Sequence, residues 1–171
     1  VTDEAAGQGD TVTLTLGNVQ VSEGASSASV VATLSKPAGE AFDITLSNDT
    51  VLHFAKGDVT ATGTFAVQGD DVYQDGEQFT LSVTGVGANR FEQLDTSATA
   101  TAAVADTTSP VTAMLSVDSS SVAEGGTLTY TVTLQGPAGL DVSQHDGVTV
   151  TLTNGETVTI AAGQVSGWVS V

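Results

Sequence analysis

The stretch VSEGASSASVVATLSKPAG, residues 21–39, joins an acidic turn to a segment in which apolar and polar residues alternate. The Glu-Gly and Pro-Ala-Gly signals mark turns at its two ends, and the alternating pattern with Val and Thr between them favours a β-strand with one buried face. A second version, VAEGGTLTYTVTLQGPAG, occupies residues 122–139. Because self-similarity at a fixed spacing indicates repeated structural units, we interpret the chain as two copies of one unit.

The two copies correspond over further segments, up to the end of the sequence. TLSN at 45–48 matches TLTN at 151–154, and FAV at 65–67 matches VSV at 169–171. We therefore expect the second copy to lack its final strands. We predict four segments: a linker from a preceding repeat (1–10), repeat 1 (11–105), a linker (106–110) and a truncated repeat 2 (111–171).

Strand-like patterns fill both copies. In the first copy, alternation rich in Val and Thr marks strands at 11–16, 29–34, 42–46, 63–67, 78–83 and 98–104. Turn signals separate them, and no segment has the 3.6-residue period of an amphipathic helix. The sequence predicts an all-β fold of two tandem immunoglobulin-like antiparallel β-sandwiches, the second incomplete at its C-terminus. The chain contains no cysteine, so the Cys…Trp…Cys pattern of antibody domains is missing.

The charge of the chain argues against several classes of partner. Twenty Asp and Glu residues stand against three Lys and Arg residues, which gives a formal net charge of −17. Such a chain repels nucleic acids and anionic membranes and attracts cations. It also has no apolar run of about 18 residues, so we expect no direct membrane insertion. The acidity and the scarcity of lysine favour an extracellular, calcium-rich setting.

Four carboxylates are concentrated in GDDVYQDGEQF, residues 69–79: Asp70, Asp71, Asp75 and Glu77. Two carboxylates 4 Å apart repel each other by about 4 kcal/mol at an effective dielectric constant near 20. A folded domain is stable by only about 5–15 kcal/mol in total. The cluster is therefore tolerable only if its groups extend into water, share protons or bind a cation.

Two distant acidic residues can join this cluster. Glu23 lies in the first turn, Asp106 follows the last predicted strand of the copy, and the sandwich connectivity allows both to reach the pole that carries the acidic loop. Oxygen ligands from loops, without His or Cys, suit Ca²⁺ better than Mg²⁺, which retains its waters. The spacing is not that of an EF-hand. An acidic turn that only solubilises one end of the sandwich is the alternative.

Nothing in the sequence indicates an enzyme. His53 lies in an alternating segment and His145 in a polar loop, and neither has further zinc ligands or a base–nucleophile pattern around it. No Gly-x-Ser-x-Gly motif occurs. We expect Trp168 to be a core residue rather than a platform on which a sugar stacks. We therefore predict a module without enzymatic activity.

Several motifs together resemble a known family. VSEG at 21–24, FAKG at 54–57 and DDVYQDGEQF at 70–79 resemble the Calx-β pattern. With GANRFEQLDTS at 87–97 and TTSP at 107–110, the chain looks more specifically like tandem extender repeats of the large RTX-type adhesins of Gram-negative bacteria. The resemblance extends over nearly all of the first copy and most of the second.

The resemblance implies a calcium-rigidified spacer. In such families the ligands lie near the junction between domains, and the matching residues here are Glu23, Asp70, Asp71, Glu77 and Asp106. Asp75 is a further candidate, Asp10 belongs to the junction before the first copy, and Glu124 is the counterpart of Glu23 in the second copy. We expect the second copy's calcium site to be incomplete.

The function that we predict is a calcium-stabilised structural extender of a secreted bacterial surface adhesin. It is exported by type I secretion, projects a distal binding region and supports adhesion and biofilm formation. Its partners are neighbouring repeats of the same chain and a possible second chain that completes repeat 2. The alternatives are a module that binds carbohydrate or protein, against which the aromatic content of 5% counts, and a Calx-β-type calcium sensor domain.

Overall fold

The computed structural model describes residues 10–171, which form β-strands and loops. The prediction of an all-β fold is confirmed. Within the described residues there is no helix that could cross a membrane. The strands are β1 (Thr11–Leu16), β2 (Val19–Ser22), β3 (Ala28–Leu34), β4 (Phe42–Leu46), β5 (Val51–Phe54), β6 (Thr60–Phe65), β7 (Glu77–Val86), β8 (Gln93–Asp95), β9 (Thr99–Ala105), β10 (Thr112–Val117), β11 (Thr129–Gln135), β12 (Val148–Thr151), β13 (Thr157–Ile160) and β14 (Ser166–Ser170).

The chain divides into two compact units. Unit 1 extends to Gly69 and resumes over Asp75–Asp106, whereas unit 2 comprises Asp70–Gln74 and Thr107–Val171. A five-residue piece of the acidic loop therefore belongs to the second unit. As a result the chain passes between the units three times: after Gly69, before Asp75 and after Asp106.

Unit 1 contains two sheets, with strand orders β6-β3-β1-β8 and β2-β9-β7-β4-β5. Most pairs are antiparallel, but β1 pairs with β8 and β2 pairs with β9 in parallel. The parallel pairs arise because the chain changes sheet between β1 and β2, at Gly17 and Asn18. The Gly17 amide still donates to the Val31 carbonyl at 2.9 Å, while the Asn18 side chain accepts from the Thr101 amide of the other sheet at 2.9 Å.

The core of unit 1 follows directly from strand alternation. Every second residue of β3 is buried, and the opposite sheet contributes Ile44, Leu46 and Leu81, which are completely buried. Phe42 and Phe54 stack with their ring centroids 5.2 Å apart. Since burying one large apolar side chain contributes about 1.5–3 kcal/mol, this core supplies the main favourable term in the folding of unit 1.

Unit 2 contains a three-stranded sheet, β10-β11-β14, and the pair β12-β13. Its buried cluster is small and centres on Val132, Val158 and Ile160. The prediction that Trp168 is a core residue is wrong, because its side chain is 69% exposed. On β14 the buried inward position belongs to Gly167, where a Cβ would lie 2.2 Å from the Thr159 carbonyl oxygen, so alternation places Trp168 on the outer face.

Candidate metal centre

Glu23 is placed by the parallel pairing of β2 with β9. The register aligns Ser22 with Ala105, so the next residues along the two strands, Glu23 and Asp106, lie side by side. The Glu23 amide donates to the Ala105 carbonyl at 3.0 Å. Gly24 then turns the chain with a φ of 75°, a conformation that glycine adopts without steric cost. The VSEG motif thus positions one carboxylate at the end of β9.

Asp75 reaches the same position from the other side of β9. Strand β7 runs antiparallel to β9 with Glu77 opposite Val104, and continuing this register by two residues brings Asp75 level with Asp106. Gly76 makes the approach possible, since a Cβ at this residue would lie 3.0 Å from the Asp106 nitrogen and 3.1 Å from the Val104 carbonyl oxygen. Only glycine fits there without a shift of the neighbouring backbone.

Glu23, Asp75 and Asp106 form the carboxylate triad. One carboxylate oxygen of each residue lies within 4.8 Å of the others. Glu23 is only 4% exposed, whereas Asp75 and Asp106 are open to solvent. The Gln68 side-chain amide donates to Glu23 Oε2 at 3.2 Å and to Asp75 Oδ1 at 3.0 Å. Three adjacent strands of one sheet, β2, β9 and β7, thus present three acidic groups at one end.

The chemistry of this donor set suits a hard cation. The triad offers only carboxylate oxygens, and a buried carboxylate such as that of Glu23 is costly unless its charge is compensated. Ca²⁺ takes about 6–8 oxygen ligands in flexible geometry, and three carboxylates can supply up to about six of them, with water or backbone carbonyls completing the shell. The residues present therefore fit Ca²⁺.

Of the five principal calcium ligands expected from the sequence, the structure brings two together, Glu23 and Asp106. The third member of the triad is Asp75. Asp70, Asp71 and Glu77 are not members of the triad. Asp70 and Asp71 belong to unit 2. There the Asp70 carboxylate accepts a hydrogen bond from the Thr107 hydroxyl. Asp71 Oδ1 accepts a hydrogen bond from the Tyr73 amide at 2.7 Å. Glu77 is exposed at the start of β7.

The two outlying candidates lie elsewhere. Asp10 immediately precedes β1 and is outside the triad. Glu124 occupies a turn like that of Glu23, with Gly125 at a φ of 81°, but its side chain is exposed. Within residues 107–171 there are no counterparts of β7 and β9 to flank it.

Two functional positions were not predicted from the sequence. Gln68 bridges two of the carboxylates, and Gly76 permits their approach. The sequence Gln-Asp-Gly-Glu at 74–77 contains the signal for Gly76, since a glycine beside a strand often marks a place where another backbone approaches closely. Nothing in the local sequence distinguishes Gln68 from other polar residues at the end of a strand.

The histidines take no part in this site. His53 Nδ1 lies 2.6 Å from Asp43 Oδ1 across the β4–β5 pair, and both side chains are exposed. His145 Nε2 lies 2.9 Å from the Gln164 carbonyl oxygen in unit 2. Among residues 10–171, neither histidine belongs to a group of three or more potential metal ligands.

Comparisons with known proteins place the chain in a family. A family model described as the LapA domain matches residues 10–107 and again residues 110–171. None of the curated proteins matches the chain. One similar solved structure is the "Crystal structure of CBD12 from CALX1.2", with 11% sequence identity over 92% of this chain and 73% of that chain, and a TM-score of 0.41. Since the two family matches span both repeats, the chain belongs to the LapA domain family of biofilm adhesins.

Proposed function

We propose that this chain is a calcium-stabilised extender module of a secreted RTX-type adhesin on a bacterial surface, exported by type I secretion. Its membership of the LapA domain family makes it an adhesin-type module of the cell surface, linked to adhesion and biofilm formation. The convergence of Glu23, Asp75 and Asp106 is the observation that carries the calcium part of the proposal. Its partners are neighbouring repeats of the same chain, with which it projects a distal binding region.

The position of the triad in the chain supports a role in stiffening. Unit 1 resumes at Asp75 and ends at Asp106, so two of the three carboxylates are residues at which the chain passes between the units. Glu23 is fixed by its own backbone hydrogen bond and by Gln68. If a cation holds Asp75 and Asp106 next to Glu23, two of the three segments that connect the units are fixed at one end of the β2-β9-β7 sheet.

When bound, Ca²⁺ offsets the mutual repulsion of the three carboxylates. A ligand that binds only the ordered arrangement favours it by about 2.7 kcal/mol at 100 times its dissociation constant. Extracellular calcium modules commonly have dissociation constants of about 10⁻⁴–10⁻³ M. At such an affinity the carboxylates would repel one another in the cytosol, which keeps the chain flexible for export, and would be held together outside the cell.

The test compares the wild-type chain with Glu23→Gln, which removes the charge but keeps the size of the side chain. We expect Ca²⁺ to raise the melting temperature of the wild type and to narrow its distribution of interdomain distances in small-angle X-ray scattering, both reversibly with EDTA. E23Q loses both responses. Glu156→Gln, an exposed carboxylate of unit 2, is the matched control and responds like the wild type. A wild type that is indifferent to EDTA in both measurements contradicts the proposal.

A further inference from the structure

Unit 2 contains two separate pieces of the chain, the short segment 70–74 and residues 107–171. We call the first piece, with the sequence DDVYQ, the docking segment. Its conformation is fixed locally, since Asp71 Oδ1 accepts a hydrogen bond from the Tyr73 amide at 2.7 Å. Val72 and Tyr73 are half-buried, whereas Gln74 is exposed. The Val-Tyr pair is therefore partly withdrawn from solvent.

The Tyr73 hydroxyl contacts a loop of unit 2, residues 140–147, which we call the receiving loop. The hydroxyl oxygen accepts a hydrogen bond from the Gln144 amide at 2.7 Å, which is within the usual range for such a bond. Tyrosine suits this contact because its ring is apolar while its hydroxyl bonds a polar group at the far end. A backbone donor of the receiving loop is thus satisfied by a side chain of the docking segment.

Val72 packs beside Gly136. A Cβ on Gly136 would lie 2.7 Å from Val142 Cγ1, 3.4 Å from Val72 Cγ1 and 4.0 Å from Val111 Cγ2, so three valine side chains surround this glycine. Val142 belongs to the receiving loop and is buried, although it is not a member of the core cluster around Val132. The absence of a side chain at Gly136 leaves the space in which these apolar groups meet.

The receiving loop is longer than its counterpart in unit 1. After the Pro-Ala-Gly turn at 37–39, unit 1 reaches β4 through Glu40 and Ala41 alone, whereas unit 2 reaches β12 through LDVSQHDG. Gly136 likewise takes the place that Lys36 has before the first Pro-Ala-Gly turn. The features that contact the docking segment are therefore specific to the second copy and do not follow from the fold that the copies share.

The receiving loop is fixed on unit 2 by its own hydrogen bonds. Asp141 accepts hydrogen bonds from the amide and the hydroxyl of Ser143. His145 Nδ1 accepts a hydrogen bond from the Gly147 amide at 3.0 Å, so the neutral ring carries its proton on Nε2, which lies 2.9 Å from the Gln164 carbonyl oxygen. A loop ordered in this way is preorganised for a partner, which reduces the entropy that binding costs.

Electrostatic attraction does not account for this contact. The three Lys and Arg residues of the chain all precede residue 91, so 107–171 contains none, while Asp141 and Asp146 make the receiving loop acidic. The aspartates of the docking segment are therefore repelled by the loop. The contact depends on the neutral groups between them, the Val72 side chain and the Tyr73 ring and hydroxyl.

We propose that the receiving loop is a recognition site of the second copy for the acidic loop of the repeat before it, and that the Val-Tyr pair is the element recognised. Neighbouring repeats are the partners in the proposed function, on which this site rests, but the contact itself needs no cation. A copy whose connection is as short as Glu40-Ala41 lacks the site. The receiving loop therefore determines which kind of repeat can follow an acidic loop of this sequence.

Amide hydrogen exchange of the whole chain, followed by NMR in EDTA, tests the hydrogen bond. Tyr73→Phe removes the acceptor and is expected to speed exchange of the Gln144 amide about tenfold, while the amides of β3 keep their rates. Tyr130→Phe, the same change at the other tyrosine of the chain, is the matched control and leaves Gln144 at the wild-type rate. Equal Gln144 rates in the wild type and Y73F overturn the proposal.

A chain in which residues 140–147 are replaced by Glu-Ala, the connection of unit 1, tests the receiving loop. Because chymotrypsin cleaves after accessible tyrosines, we expect cleavage after Tyr73 to become roughly tenfold faster and cleavage after Tyr130 to keep its rate. Cleavage after Tyr73 at the wild-type rate contradicts the proposal. If the shortened chain does not fold, which faster cleavage after Tyr130 would show, the comparison of Y73F with Y130F decides the question.

Both measurements are made without Ca²⁺, so they separate this recognition site from the calcium site. A Y73F chain with fast Gln144 exchange supports the recognition site even if EDTA leaves the melting temperature of the wild type unchanged. Equal Gln144 rates in the wild type and Y73F overturn the recognition site even if Ca²⁺ raises that melting temperature.

Discussion

Gly76 is the residue on which the geometry of the carboxylate triad depends most closely. It lies between Asp75 and the first residue of β7, and a Cβ in its place would press on both the nitrogen and the Cβ of Asp106, at 3.0 and 3.3 Å. Contacts this short are rare for real Cβ atoms, so a larger residue requires the backbone near Asp106 to give by a few tenths of an ångström. A single missing side chain therefore allows β7 to bring its acidic residue level with the end of β9.

The substitution Gly76→Ala is therefore expected to weaken calcium binding at least tenfold, because it separates two carboxylates that must share one ion. Isothermal titration calorimetry with Ca²⁺ measures the effect. Gly69→Ala is the matched control, since a Cβ at Gly69 would meet nothing within 4 Å, and it binds like the wild type. Equal affinities of the two variants would show that the approach of Asp75 to Asp106 is irrelevant to binding.

Asp141 illustrates how a polar loop of unit 2 is held by its own hydrogen bonds. The hydroxyl of Ser143, then its amide, and then the side-chain amide of Gln144 all donate to the carboxylate, and they lower the pKa of Asp141 below its ordinary value. Each of these bonds favours the ionised form. All the donors that stabilise this charge are polar groups of Ser143 and Gln144, in the same loop.

Since the pKa of Asp141 is lower in the folded than in the unfolded chain, the ionised group stabilises the fold above the unfolded pKa. This contribution is lost as the pH falls through the lower, folded pKa. Ser143→Ala removes the largest cause and is expected to raise the pKa of Asp141 towards its ordinary value, as measured by an NMR titration of the carboxyl carbon. An unchanged titration curve would mean that the Ser143 hydroxyl does not hold this carboxylate.

At the scale of elements, the strands were predictable and their partners were not. The alternation of apolar and polar residues predicts β1 and β4 with their observed bounds, and β3, β7 and β9 to within a few residues. It does so because the alternate burial of side chains along a strand depends only on residues that are neighbours in the sequence. The parallel pairs β1–β8 and β2–β9 depend on the change of sheet at Gly17, which no local pattern reveals. The short strands β2, β5 and β8 carry too few residues for a clear period.

The same reasoning explains how much of the candidate site could be predicted. Glu23 and Asp106 were identified because each directly follows a strand that ends at the same pole. The family resemblance points to Asp70 and Asp71 before Asp75. The sequence does not show that 70–74 belongs to unit 2 while the chain returns to unit 1 at Asp75. Which acidic residue meets Asp106 is decided by the β7–β9 register, a long-range property.

The register makes a prediction that distinguishes Asp75 from its neighbour Glu77. Asp75→Asn is expected to abolish the calcium-dependent rise in melting temperature, because it removes a carboxylate level with Asp106. Glu77→Gln, two residues further along β7 and opposite Val104, is expected to retain most of it. Differential scanning calorimetry with and without Ca²⁺ compares the two. If E77Q loses the response and D75N keeps it, β7 has a different register in the calcium-bound protein.

At the scale of the whole molecule, the net charge of −17 means that few basic side chains are present to compensate the charge of the triad. The visible ion pair between Arg90 and Glu40, at 3.1 Å, is exposed, and such pairs contribute only about 0–1 kcal/mol. With three basic residues in the chain, internal pairing cannot offset twenty acidic groups. A cation bound by the triad would neutralise Asp75 and Asp106, the residues at which unit 1 resumes and ends.

The central claim is that Glu23, Asp75 and Asp106 jointly hold one calcium ion. The most direct measurement is an anomalous difference map from crystals of this chain grown with Ca²⁺ and collected at a wavelength where calcium scatters anomalously. The account predicts one peak that lies about 2.3–2.6 Å from a carboxylate oxygen of each of the three residues. A map with no peak there, or with a peak whose ligands exclude Asp75, would contradict it.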